Sequence, residues 1–405
     1  MAMRPGERKG IVYASTCHAL VHVLELAYGV VLIAIAEDIG VTLLALGVIA
    51  NVFGLAYGIT ALPVGVLADR SSGTRLLGLC SIGMGVAAVV ISMAEGTVAL
   101  GVGFCLLGVA MGVFHPVANA FVSRISTSLG LGFAYIGTGG NLGIALGPII
   151  VGIIASGLSW RVAYAVIAVP CVVLGLLFLR FPDSSRAVSG EAPGHLAVAP
   201  SSLRPFLAPL VVVVLLGVLN GLIYRGVVTF LPTYLSENVH LGAAGIDSVM
   251  LAGSFTTFAL LFGVAGQFLG GYLCDRRSRE WIVLLCTAMT VPALAAVWGF
   301  GGALLLGSAA FFAFFHFMMQ PVFNALIADY TPVLWRGRMF GVYFFGALAG
   351  GSFAATGLGY VAETRGLDVV FLVCGVLALL ATLFSVPLVV WAGKRAACKR
   401  TSEAA

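Results

Sequence analysis

The chain is 405 residues long, 60% hydrophobic and only 9% charged, whereas an ordinary soluble domain carries roughly a quarter charged residues. This composition excludes a water-soluble enzyme. The formal net charge of +5 matters less than where the basic residues fall, because lysine and arginine placement sets the orientation of a membrane protein.

Apolar runs of about 20 residues, the length that crosses a bilayer as a helix, follow one another along nearly the whole chain. In order they predict helices over 11–36, 41–68, 75–94, 97–124, 129–157 and 160–181, then 207–235, 244–273, 281–299, 301–328, 337–362 and 366–392. The predicted fold class is an all-α membrane protein, twelve transmembrane helices in two six-helix bundles. The polar, basic MAMRPGERKG that precedes the first helix has no cleavage pattern, so that helix is expected to remain in the mature chain. Residues 182–206 are rich in proline, glycine and serine, the composition of a flexible linker. Residues 1–181 and 207–392 are then the two bundles, with a tail over 393–405.

Outside the helix interiors, only Arg161 and Arg365 lie on the side opposite the other lysines and arginines, which run from Arg4, Arg8 and Lys9 to Lys399 and Arg400. The bias predicts that both termini, the linker and the tail are cytoplasmic, in a membrane of bacterial inner-membrane type. Glu37, Asp38, Glu237 and Asp247 are expected on the outer side. The eight cysteines show no disulfide or zinc spacing and read as small apolar fillers.

The two halves echo each other. HPVANAF in the fourth helix has a partner in QPVFNAL in the tenth, which aligns Pro116 with Pro321 and Asn119 with Asn324. GVLADRSSGTR after helix two is matched by GGYLCDRRSR after helix eight, which places Asp69 and Asp275 alike. Repeated halves are what a carrier needs in order to rock about a central site. Prolines inside membrane helices are tolerated because neighbours and water satisfy the freed carbonyls.

The loop from Gly65 through Asp69, Arg70 and Gly73 to Arg75 resembles the signature of the major facilitator superfamily between helices two and three, with one extra residue before the glycine. The run Gly143-Ile-Ala-Leu-Gly147-Pro148-Ile-Ile-Val-Gly152 is similar to the helix-five pattern of that superfamily's antiporters. FHPVANA, GTGGNLGIALGP and YRGVVTFLPTYL are similar to its fosmidomycin-resistance exporter branch, although helix four lacks the arginine that many drug–proton antiporters carry. The resemblance implies that helices one, four, seven and ten line a central cavity.

An ionisable side chain in hydrocarbon costs on the order of 2.5–3.5 kcal/mol even on lenient scales, which makes each one a functional candidate. Away from helix ends these are His18, His22 and Glu25 in helix one, His115 in helix four, Arg225 in helix seven and His316 in helix ten. His18, His22 and Glu25 are spaced by four and three and share one helical face. Glu25 and Arg225 occupy similar positions in their halves and are expected either to pair statically or to separate when an anionic substrate takes the arginine. His18 has the alternative of a solvated place at the cavity mouth, His115 of bonding a carbonyl near Pro116, and His316 of packing among aromatics. Tyr28, Tyr224, Gln320, Asn119 and Asn324 complete the candidate substrate- and proton-binding set.

Asp69, Arg70 and Arg75, with Asp275, Arg276 and Arg279, are expected to form a cytoplasmic gate that holds one conformation, against the alternative of ordinary positive-inside topology. Gly143, Gly147 and Gly152 are expected to let helix five approach a neighbour, with Pro148 bending it. His18 and His22 have the spacing of a metal pair with Glu25 as a third ligand, but no cluster elsewhere supports this and no metal is expected. No nucleotide motif and no catalytic set of a protease or lipase occurs.

The sequence thus predicts a secondary transporter, not an enzyme, without a cofactor other than the coupling proton. It is expected to be a monomer that exports a small organic anion or drug by antiport. Uptake or exchange of a metabolite anion without proton coupling is the main alternative, and a non-transporting membrane sensor a further one.

Overall fold

The computed structural model describes residues 4–182, 207–239 and 248–404. Nearly all of the expected linker, with Arg186 and Arg204, lies outside the described residues, as does Asp247. The described residues form twelve long helices: α1 (Pro5–Ile39), α2 (Leu43–Arg70), α3 (Gly73–Ser92), α4 (Thr97–Ile125), α5 (Leu129–Gly157), α6 (Trp160–Leu179), α7 (Leu207–Asn238), α8 (Ser248–Cys274), α9 (Arg279–Gly299), α10 (Gly302–Tyr330), α11 (Arg336–Arg365) and α12 (Leu367–Ala404). All twelve are long and apolar enough to cross a membrane.

Local chemistry sets the ends. Thr42, Ser72 and Ser159 accept hydrogen bonds from the backbone N–H groups of Ala45, Arg75 and Val162 and so cap α2, α3 and α6. Gly40, at φ 72°, closes α1 in the left-handed region, with its N–H on the Ala36 carbonyl. Helices α4, α5 and α10 run on through Pro116, Pro148 and Pro321. Beyond the expected last membrane span, which ends at 392, α12 continues as helix to Ala404. Alanine, lysine and arginine favour that continuation.

In the first bundle α1 packs on α5, α2 on α4 and α3 on α6; in the second, α7 packs on α11, α8 on α10 and α9 on α12. The bundles meet where α2 faces α11 and α5 faces α8. Buried aromatics such as Phe104, Phe114, Phe121 and Phe133 fill the first bundle, and Phe371 lies in a separate core of the second. Large apolar side chains such as Leu44, Val98, Ile153 and Val169 face outward. Such a surface suits lipid and would be a liability in water.

Candidate functional site

Glycines on α5 place α1. A Cβ at Gly139 would strike the Ser15 carbonyl, one at Gly143 the Ala19 carbonyl, and one at Gly147 would lie 3.0 Å from the Val23 Cα. Two stripes of period four therefore interlock, and the backbones approach as closely as small residues allow. Gly152 is not part of this stripe: its nearest neighbour would be Val30 Cγ1, at an ordinary 3.9 Å. The expected member Gly152 thus gives way to Gly139, four residues before Gly143. Gly140, also missed, leaves room for the His18 ring, which a Cβ there would meet at 2.5 Å.

That room allows a continuous chain of polar contacts. Arg225 Nη2 on α7 donates to Glu25 Oε1 at 3.1 Å. Glu25 Oε2 meets His22 Nδ1 at 2.7 Å, His22 Nε2 meets His18 Nε2 at 3.1 Å, and His18 Nδ1 reaches the Ile136 carbonyl at 2.7 Å. The Glu25 side chain is 7% exposed, while Arg225 keeps 28%. The arginine is thus the accessible end.

Protons along this chain can be counted. A carbonyl only accepts, so His18 Nδ1 carries hydrogen. The His18–His22 and His22–Glu25 contacts each need one more. Two neutral imidazoles and a carboxylate supply one proton too few, so satisfying every bond requires one extra. That proton can reside on Glu25, His22 or His18 with all contacts kept. The three groups together are then neutral, and Arg225 leaves the site with one positive charge.

The His115 side chain on α4 joins this group without a hydrogen bond among the described residues. Its ring centre lies 5.0 Å from that of His18 and 6.0 Å from that of His22. Its face is held between Phe344 at 4.7 Å and Tyr57 at 6.0 Å. The Asn119 amide donates to the His115 backbone carbonyl at 2.8 Å. Other candidates are placed elsewhere. His316 is fully buried between Phe312 and Tyr224, with both ring nitrogens unpartnered. The Tyr28 hydroxyl donates to the Leu46 carbonyl and its ring packs on Phe104, so it joins α1 to α2. Gln320 and Asn324 are part-exposed on α10 and make no hydrogen bond to the Glu25 chain. Below that chain, Asn141 and the buried Gln267 join α5 to α8 at 3.4 Å, a contact that no motif announced.

At the face where the basic residues gather, two aspartates clasp the halves. Asp69 on α2 accepts from the Gly337 and Arg338 N–H groups at 2.7 and 3.1 Å, the second and third residues of α11. Asp275, just after α8, accepts from the Gly130 and Leu131 N–H groups at 2.8 and 3.1 Å, the second and third residues of α5, and from the Ser128 hydroxyl. Each carboxylate meets a helix N-terminus of the other half, where unpaired donors and the helix dipole favour an anion. Arg124 and Arg338 flank Asp69 at 3.2 and 3.6 Å, and Arg336 donates to the Ser123 carbonyl at 2.9 Å. Arg279 pairs with Asp329. Arg70 and Arg75 are exposed and outside this network, and Arg276 lies over the Tyr272 ring. Among the described residues, Arg279 is the one expected gate cation with a carboxylate partner, and Arg124, Arg336 and Arg338, outside the expected set, make the other contacts. On the opposite face Asp38 pairs with Arg161 and Trp160 within the first half. The protein is therefore closed at its basic face.

Two like bundles clasped at one face, with an ion pair bridging them at depth, define a multi-pass membrane transport protein. The chain belongs to the Major Facilitator Superfamily, whose family profile matches residues 14–260 and 245–401. It is 24% identical over 324 residues to the fosmidomycin resistance protein of Escherichia coli strain K12, across 76% of this chain and 74% of that protein. It is 28% identical over 226 residues to the probable sulfoacetate transporter SauU of Cupriavidus necator, across 52% of this chain and 51% of the relative. Among solved structures, it resembles the transporter FucP in the outward conformation, with TM-score 0.73 and 15% identity over 94% of this chain and 98% of that one. The human organic anion transporter MFSD10 gives TM-score 0.73 and 17% identity over 94% of this chain and all (100%) of the other.

Proposed function

We propose that the protein is a proton-coupled secondary transporter of a small organic anion in a bacterial inner membrane, with its basic face and both termini cytoplasmic. The observation that carries this reading is the unbroken chain Arg225–Glu25–His22–His18, which needs one extra proton for full satisfaction. Arg225 offers a planar fork that suits carboxylate, sulfonate or phosphonate. An anion that takes the fork releases Glu25, and the proton already on the chain moves to that carboxylate and neutralises it.

The sign of the coupling follows from charge. With the extra proton the site is singly positive, and a monoanion brings it to neutrality. Without the proton the site is neutral, and the same anion would leave an uncompensated buried charge. Anion and proton thus favour each other's binding, and linkage makes that preference reciprocal. Co-movement of anion and proton is the better reading of this geometry, in place of the antiport expected from the sequence.

Export by antiport keeps one specific support, the similarity to a fosmidomycin resistance protein. Proteoliposomes with an imposed pH gradient and labelled phosphonates, sulfonates and carboxylates separate the readings. Accumulation on the side to which protons flow supports co-movement, and accumulation on the other side supports antiport. Transport unchanged on collapse of the gradient removes proton coupling altogether and leaves anion exchange.

A further inference from the structure

We infer that His18, His22 and His115 form a binding site for a divalent transition metal ion of the zinc type. The inference stands on the geometry of the three imidazoles and does not depend on which substrate is carried or in which direction.

The ligand atoms of these three residues lie within 4.8 Å of one another. His18 Nε2 and His22 Nε2 face each other at 3.1 Å. Two nitrogens bound tetrahedrally to zinc at about 2.0–2.1 Å lie about 3.3 Å apart, so this pair stands almost at bonding geometry. The opposite ring atoms are already held as metal-binding histidines require. His22 Nδ1 meets the Glu25 carboxylate at 2.7 Å, and His18 Nδ1 meets the Ile136 carbonyl at 2.7 Å. Such carboxylate and carbonyl partners fix the tautomer and turn the free Nε2 lone pairs toward a metal.

The third imidazole supplies an independent observation. His115 is 8% exposed and its side chain makes no hydrogen bond among the described residues, while Phe344 and Tyr57 stack on the ring. Unlike those of His316, the His115 ring nitrogens are not sealed from solvent, so they are free of any protein partner that coordination would have to displace. A modest closure of this side chain completes three corners of a tetrahedron, with the fourth open to water or to a small anion. Imidazole sets of this kind suit zinc, copper, nickel and cobalt over magnesium or calcium. The sequence reading paired His18 and His22 with Glu25 as third ligand; the structure makes Glu25 the orienting partner and His115 the ligand.

The His18–His22 contact holds one proton, which occupies the place of the metal. Binding therefore releases that proton to solvent as both Nε2 lone pairs turn to the ion, and one proton leaves per metal bound. Of the titratable groups around the trio, Glu25 on α1 meets His22, Tyr57 on α2 stacks on His115, and Arg225 on α7 reaches the trio only through Glu25. Arg225 remains paired with Glu25 throughout.

The test is calorimetric titration of the purified full-length protein with zinc chloride, in buffers of different ionisation enthalpy, on a background in which His195 and His240 are alanine. Expected are one ion bound and one proton released per protein, and with cobalt(II) the intense visible absorption of a four-coordinate site. His115→Asn and His18→Asn should abolish that absorption, and Glu25→Gln should weaken zinc by about 10–100-fold as loss of an outer partner does. Absence of saturable zinc binding, or zinc and cobalt signals unchanged in His115→Asn, overturns the site. Because zinc binding and the cobalt spectrum are first read on protein with the trio intact, their absence there overturns the site whether or not the variants fold. Failure here leaves gradient-driven anion transport untouched, and failure of transport leaves the metal titration untouched.

Discussion

Glu25 and Arg225 pair at 3.1 Å from opposite halves of the molecule, and the second carboxylate oxygen of Glu25 is held by His22 at 2.7 Å. The carboxylate thus stands between a guanidinium and an imidazole. Substituting either partner should affect different steps.

Arg225→Lys retains the charge but loses the planar fork. Anion affinity should fall by about 1.5–3 kcal/mol, roughly 10- to 150-fold, the range for a hydrogen bond to a charged group. Equilibrium binding of the transported anion to purified protein measures this. Wild-type affinity in the lysine variant would place the anion elsewhere.

In the proposed coupling, Glu25→Gln removes the acceptor of the mobile proton. Net transport driven by a pH gradient should be lost, while counterflow of labelled anion against unlabelled anion continues, because exchange needs no proton to be released. A variant that still responds to the gradient would assign the coupling proton to another group.

Asp69→Asn and Asp275→Asn each weaken a helix cap by about 1–2 kcal/mol, the range for a carboxylate at a partly buried helix N-terminus. Each should shift the equilibrium several-fold toward the form open at the basic face, and the double variant further. Spin labels on α2 and α11 at that face would report the change as a longer distance distribution. An unchanged distribution in both single variants would remove the clasp role.

His316→Phe replaces a fully buried imidazole that has both nitrogens unpartnered with a ring of similar shape. Removing an unsatisfied buried group is worth about 1–3 kcal/mol. The variant should melt at the same temperature as wild type or higher. A marked drop in the melting temperature would show that the nitrogens have a partner in solution.

Gly143→Val should separate α1 from α5, because any side chain there meets the Ala19 carbonyl. Little folded protein is expected on size-exclusion chromatography. Gly152→Ala places its methyl 3.9 Å from Val30 and should behave as wild type. Equal stability of the two variants would contradict the interlocked stripes.

Much of this was legible in the chain because lipid imposes simple rules. Twelve apolar runs gave the helices, and the 129–157 run coincides with α5. His18, His22 and Glu25 share a face because helix periodicity alone determines it. Arg225 could be placed opposite them because the halves repeat. What remained hidden depends on the neighbour rather than on the residue. Gly139 and Gly140 differ from other glycines only through the α1 backbone and the His18 ring they meet. Arg124 and Arg338 look like orientation charges until α2 and α11 bring them to Asp69. His316 looks in sequence like the other intramembrane histidines, and only the structure shows it enclosed by the Phe312 and Tyr224 rings.

The two aspartate clasps are reciprocal, since Asp69 belongs to the first half and holds a helix of the second, while Asp275 does the reverse. If the halves move as rigid bodies, neither contact can part without the other. Their energies then add, and so the chance of a spontaneous slip is the product of two small equilibrium constants. Closure at that face thus rests on a pair of modest handshakes, with no single strong bond that both halves would have to break at once.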